Sequence, residues 1–263
     1  MSDICEEMNR MVSEYLRTAT FPVAVKVYRK GESVPPECRA KAPLKDFGHR
    51  LAVCQAVTMA RKLGSVIQLS KKDQACPLAQ VILGYAEEPD FIKDGSVVYP
   101  LYVSNMEAAK RTQETTPKMP KADTGAILVA PLHRAAFEPD VIILYGNAAQ
   151  IVRMVQGALY HEGGYIESRF SGRGACGGEI TVPLTQQKCN VIAPGGGERV
   201  FALTSDEELA FAVPSSQFQS FIEGVIETHK GGVARIPTPI AGVNLEPRWP
   251  STYEKLAAYM ESQ

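Results

Sequence analysis

Two apolar runs constrain this chain more than anything else in it: "GAILVAP" at 125–131 and "DVIILYG" at 140–146, separated by eight residues. Neither is interrupted by a charge once under way, both are too short for a buried helix, and both are rich in β-branched residues. They read as buried strands, which need helices packed over them. The following segment, "NAAQIVRMVQGALYHEGG", supplies such a helix, amphipathic, capped at its start and closed by a glycine pair.

The same order of elements recurs downstream. "ERVFAL", "EELAFAVP" and "SSQFQSFIEGVIETHKGG" read as strand, strand, helix and glycine pair. Gln150 and Gln217, and Gly157 and Gly224, are offset by 67, while His161 and His229, and Gly163 and Gly231, are offset by 68. One single-residue shift aligns the units, and the pattern predicts an internal duplication of a β-β-α unit.

The rest of the chain is less regular. Residues 4–18 form an amphipathic opening helix, "FPVAVKVYRKG" a half-buried strand, "HRLAVCQAVTMARKLGS" a helix stopping at Gly64, and "VIQLS" a strand. "ACPLAQVILGY" is a short helix entered through Pro77, which puts Cys76 at its N-terminus. "VVYPLYVS" reads as a strand before a further helix, and the Thr/Pro/Lys-rich stretch 112–124 as a linker. The expected class is α+β, with mixed β-sheets under covering helices. An N-terminal α/β portion (1–111) and a C-terminal portion (125–263) with the duplicated units form two parts or one compact domain.

Composition narrows the function classes. With 28 basic and 29 acidic residues the formal charge is −1, so no global field attracts nucleic acid. No apolar run is long enough to span a bilayer, and the acidic opening "MSDICEEMNR" lacks the basic start of a signal peptide, so the expected location is the cytoplasm. The six cysteines are then expected to be reduced thiols or ligands.

Segment 163–199 between the two units holds two of the six cysteines and nine glycines without a long periodic run, and is expected to be an irregular, functional insert. Two chemistries compete for it. Cys54, Cys76, Cys176 and Cys189 could supply four thiolates to an iron–sulfur cluster or a structural zinc, although no Cys-x-x-Cys is present. Alternatively, the backbone of "SGRGACGG", including Gly177, and of "APGGGER" could cradle a small anion, with Arg169, Arg173 and Arg199 giving charge-assisted contacts. Neither stretch is a P-loop or a dinucleotide fingerprint. No nucleophile elbow occurs, and the acid pairs Glu87-Glu88 and Glu207-Glu208 read as solvated charges. Gln55 and Arg61 could approach a ligand or simply belong to a helix facing the core.

The succession "FPVAVKVY", "CQAVTMARKLG", "ACPLAQVILG", "VAPL", "PDVIILYGNAAQIVRMVQGALY", "PGGGERVFAL" and "DEELAFAVPSSQF", from about Phe21 to about Gly231, resembles the prokaryotic Domain of Unknown Function 169 family. The resemblance implies a cytosolic bacterial or archaeal protein, often from anaerobes, and carries no catalytic residues with it. An anaerobic setting favours an oxygen-sensitive cluster. The expectation is therefore a metal-binding, iron–sulfur redox protein with a redox partner. The alternative is a non-redox module for a small anionic ligand. Whether either is an enzyme, and whether the chain forms a homo-oligomer, is left open.

Overall fold

A computed structural model describes residues 3–232 and 249–263, and its centre is a single six-stranded sheet. The strands are β1 Val23–Arg29, β2 Ile67–Ser70, β3 Thr124–Pro131, β4 Val141–Gly146, β5 Asn190–Ile192 and β6 Leu209–Pro214, in the order β2-β3-β1-β4-β6-β5. Every pairing between them is antiparallel, so the α+β class holds but the sheet is not mixed. The helices are α1 Asp3–Met11, α2 Pro43–Asp46, α3 Val53–Leu63, α4 Pro77–Ile82, α5 Asp90–Lys93, α6 Met106–Thr115, α7 Ala148–Ala158, α8 Val182–Gln186, α9 Gly196–Ala202, α10 Phe218–Lys230 and α11 Ser251–Glu261. Among the described residues no helix is long and apolar enough to cross a membrane.

Alternation along the central strands fills two cores. Val23 and Val25 of β1, Val141, Ile143 and Tyr145 of β4, and Ala210 and Ala212 of β6 face one side, under α3, α4 and a π-helical turn at Gly177–Thr181. Ile142 and Leu144, with Phe211 and Val213, face the other side, under α1, α7 and α10. Each large aliphatic side chain sealed in this way stabilises the fold by about 2 kcal/mol. The first strand, expected to be half-buried, lies between β3 and β4, and Val23, Ala24 and Val25 are all fully buried. Strands from before and after residue 124 therefore interleave in one sheet.

The two segments share a strand-then-helix order. β4 leads into α7 and β6 into α10, and Leu144 pairs directly with Phe211, its counterpart at offset 67. The two helices cross at the counterpart glycines: a Cβ on Gly224 would lie 2.0 Å from the Gly157 carbonyl oxygen, and one on Gly157 would lie 2.4 Å from a Val225 methyl. Only glycine permits that approach. The expected first strand of the second unit, "ERVFAL", is instead part of helix α9. Its apolar residues Val200, Phe201 and Leu203 are exposed, whereas Glu198 and Ala202, four residues apart, are buried. The period-2 apolar pattern pointed to the wrong face, and the unit that recurs is β-α.

Two further expectations change. "VVYPLYVS" is a turn-rich segment with exposed Tyr99, Leu101 and Tyr102 rather than a strand. The insert 163–199 is not irregular throughout, because the π-helical turn, α8, β5 and the start of α9 fall within it.

Candidate functional site

The six thiols are distributed over three cores. Cys54 on α3, Cys76 at the N-cap of α4 and Cys176 just before the π-helical turn lie on the same side of the sheet, each near enough to bear on another's ionisation. Cys189 packs in the opposite core, as does Cys5, and Cys38 sits in a third cluster with Tyr28 and Val66. The sheet thus separates Cys189 from the other three candidate ligands. Among the described residues no group of three or more His, Cys, Asp or Glu side chains is placed to hold a metal ion. The residues present do not fit a four-thiolate cluster or a four-cysteine zinc site. Burial pushes the Cys54 and Cys189 thiols up to about 12, and burial together with the charges of Cys76 and Glu179 holds Cys176 far above its usual value. These thiols stay protonated and act as small apolar groups.

The two glycine stretches do meet. Gly196 N–H donates to the Gly172 carbonyl at 3.3 Å, and a Cβ on Gly195 would lie 2.7 Å from that same oxygen, so close packing of loop on loop explains the glycine there. Gly177 has a similar role against Pro117, whose carbonyl lies 2.9 Å from where a Cβ would stand. Backbone amides here serve the fold before any ligand.

The three arginines have separate fates. Arg199 closes its own helix: Nε donates to the Pro194 carbonyl at 3.2 Å and Nη1 to the Ser205 carbonyl at 2.5 Å. It does not line the cleft described next. Arg169 is almost fully exposed and pairs with Glu167 at 3.3 Å. Arg173 is 9 % exposed, has no carboxylate partner among the described residues, and its Nε has no hydrogen-bond partner.

Arg173 is held by a chain of buried polar groups. Its Nη1 donates to Gln113 Oε1 at 3.0 Å, Gln113 Nε2 donates to Glu88 Oε1 at 2.6 Å, and Lys118 Nζ donates to Glu88 Oε2 at 2.8 Å. Burial alone would raise Glu88, but the hydrogen bonds from Lys118 and Gln113 outweigh it and hold the carboxyl below its ordinary range. Gln113 is fully buried, and its amide orientation is fixed by a donor on one side and an acceptor on the other. Tyr102 lies over the guanidinium at 5.7 Å. Burial pulls the Arg173 pKa down, opposed by Tyr102 and Cys76.

Arg173 lines a cleft of about 1210 Å³, together with Thr116, Ile166, Arg169, Phe170 and Lys188. Glu114, Glu162 and Glu167 line it as well and outnumber the exposed cations Arg169 and Lys188 by one. The buried guanidinium is what sets the cleft apart. A smaller hollow of about 460 Å³ beside Phe21 and His133 contains Arg61, whose charge is already matched by Glu208.

A second buried group went unseen in the sequence. Tyr145 Oη hydrogen-bonds to Glu179 Oε1 at 2.6 Å and, more closely still, to Glu198 Oε1. The Arg61 guanidinium lies over the Tyr145 ring, 4.0 Å from its centroid, and makes a two-pronged pair with Glu208, at 2.6 and 3.0 Å. Glu208 is therefore not a solvated charge, and neither is Glu88. Gln55 caps α3, accepting from Ala52 N–H at 2.8 Å. Burial raises both Glu179 and Glu198; for Glu179 the Glu198 charge adds to the rise, while the Tyr145 hydrogen bond opposes it at both. A sequence signal did exist, since each carboxylate directly follows a glycine run, in "CGGE" and "GGGE".

The comparisons with known proteins cover this same framework. A curated relative, "Uncharacterized protein MJ0308" of Methanocaldococcus jannaschii, is 25 % identical over 228 residues, which is 86 % of this chain and 94 % of that protein. No solved structure matches the chain. The family model of Domain of Unknown Function 169, described as "Uncharacterised ArCR", matches residues 12–224, from the end of α1 to the α7–α10 crossing, and the chain belongs to that family.

Proposed function

We propose that the chain binds a small anionic metabolite in the cleft beside the glycine-rich loop, with Arg173 as the anchoring cation. One observation supports this reading above the others: a guanidinium nine-tenths buried, in a cleft wall, with no carboxylate partner among the described residues and an unused Nε. A charged donor left without a partner in a buried site costs free energy that a ligand can recover. With Nη1 taken by Gln113 and Nε enclosed, Nη2 is left for a charge-assisted hydrogen bond to a carboxylate or a phosphate. The iron–sulfur reading has less support, because it would require Cys189 to leave its core.

The test is a thermal-shift screen with inorganic phosphate and small mono- and dicarboxylates. A ligand at a hundredfold excess over its Kd stabilises by about 2.7 kcal/mol, which is readily seen as a shift in Tm. Stabilisation should vanish in Arg173→Ala and persist in Cys176→Ser. A shift that survives Arg173→Ala would refute Arg173 as the anchor, and iron and sulfide bound stoichiometrically after anaerobic purification would favour the cluster instead.

A further inference from the structure

We propose that Tyr145, Glu179 and Glu198 form a buried relay that holds one proton between two carboxyl groups. The inference is independent of the anion-binding reading and stands on hydrogen-bond stoichiometry. Tyr145 Oη touches an oxygen of each carboxyl, and all three residues are at most 5 % exposed. A phenol carries one hydrogen, and an ionised carboxylate only accepts. With both glutamates ionised, one of the two contacts would set two oxygens together with no hydrogen between them. It would also place two negative charges side by side in the core. One added proton satisfies both bonds.

The surroundings decide where that proton rests. Arg61, on α3, faces both carboxyls, while Arg199, on α9, acts on Glu198. Cys54, also on α3, and Cys176 face the pair as neutral thiols, and Glu208 is neutralised by Arg61. Glu198 thus has the greater cationic support and carries the charge. Glu179 O–H donates to Tyr145 Oη, and the Tyr145 O–H donates to Glu198. Moving each proton along its own hydrogen bond transfers the negative charge from Glu198 to Glu179, with no atom gained or lost and no heavy atom displaced.

The decisive measurement is the infrared spectrum of the folded wild-type protein at pH 7 in deuterated buffer. A carbonyl band of a protonated, hydrogen-bonded carboxylic acid should be present, and it should be lost in Glu179→Gln, whose amide supplies the same hydrogen without titrating. Tyr145→Phe, which keeps the ring under Arg61, should shift that band. The second measurement is calorimetric unfolding at pH 7 in buffers of different ionisation enthalpy. Because the folded acid holds a proton that an ordinary glutamate has lost at this pH, wild type should release one more proton on unfolding than Glu179→Gln. Absence of the band from folded wild type would overturn the proposal, and so would equal proton release by the two proteins. Should Glu179→Gln fail to fold, the wild-type spectrum decides alone.

Discussion

Replacing Gly224 by alanine tests the helix crossing at its tightest point. The new Cβ would stand 2.0 Å from the Gly157 carbonyl oxygen and 2.9 Å from Tyr160 Cβ. It must retreat by about 1 Å merely to reach the closest separation that real side chains show, 3.0 Å. The obstacle is backbone, so no rotamer change relieves it, and α7 and α10 must move apart along a seam that includes Ile151, Met154, Phe221 and Val225. Overpacking of this kind costs about 1–3 kcal/mol. Alanine returns up to about 1 kcal/mol through helix propensity. With a rigid obstacle the first effect prevails, and the net loss should be about 2 kcal/mol. Gly157→Ala meets a Val225 methyl at 2.4 Å and the Val225 amide nitrogen at 2.9 Å, a smaller backbone overlap than at Gly224, so it should cost less. Once one alanine has separated the helices the second has less to displace, and the double variant should lose less than the two single losses combined. Urea unfolding followed by far-UV circular dichroism reads all three as shifts in midpoint at unchanged slope. If Gly224→Ala matches or exceeds wild type, propensity has won and the close crossing described here is wrong.

Other variants separate structure from binding. Glu208→Ala strands the buried Arg61 guanidinium and should destabilise by about 3 kcal/mol in the same urea assay; a loss below about 1 kcal/mol would show that the Tyr145 ring alone satisfies the cation. Burial alone would raise Glu208, but the bonds from Arg61 and the Ser205 amide hold it below the usual carboxylate range. Its stabilisation is therefore present above the unfolded carboxylate pKa and lost as pH falls through the lower folded value. Glu208→Gln should flatten that acid limb in a pH series of urea midpoints. Arg199→Ala should lower Tm through its lost carbonyl bonds while leaving ligand-induced shifts intact, the reverse of Arg173→Ala. Cys54, Cys176 and Cys189 should resist iodoacetamide at pH 8 in the folded protein and react once it is unfolded, as read by mass spectrometry; rapid native labelling of Cys176 would contradict its raised pKa.

Much of the framework was legible because it follows from periodicity. The runs at 125–131 and 140–146, the stop at Gly64 and the cap at Cys76 all depend on neighbours within a few residues. The failures share a cause in tertiary placement. α9 exposes Val200 and Phe201 and buries a glutamate, the inverse of the rule that assigned it to a strand. The cysteines looked like one set because cysteine spacing carries no record of which side of a sheet each residue reaches. The loop arginines looked equivalent until Arg199 was seen to bind its own backbone and Arg173 to be buried. Glu179, Glu198 and Tyr145 lie 19 and 34 residues apart along the chain in successive steps, and only the sheet brings them to one point.

The direct pairing of Leu144 with Phe211, and the meeting of Gly157 with Gly224, have a consequence for how many sites the fold can contain. In a twofold-symmetric association of identical subunits, equivalent residues meet on the axis, and anything one subunit carries the other must carry too. Here the two β-α segments belong to one polypeptide, so the two sides are free to differ. The position equivalent to Tyr145 is Ala212, directly across the β4–β6 pair from Ile143. With alanine at the equivalent position of β6, it is β4 that brings a hydroxyl to Glu179 and Glu198.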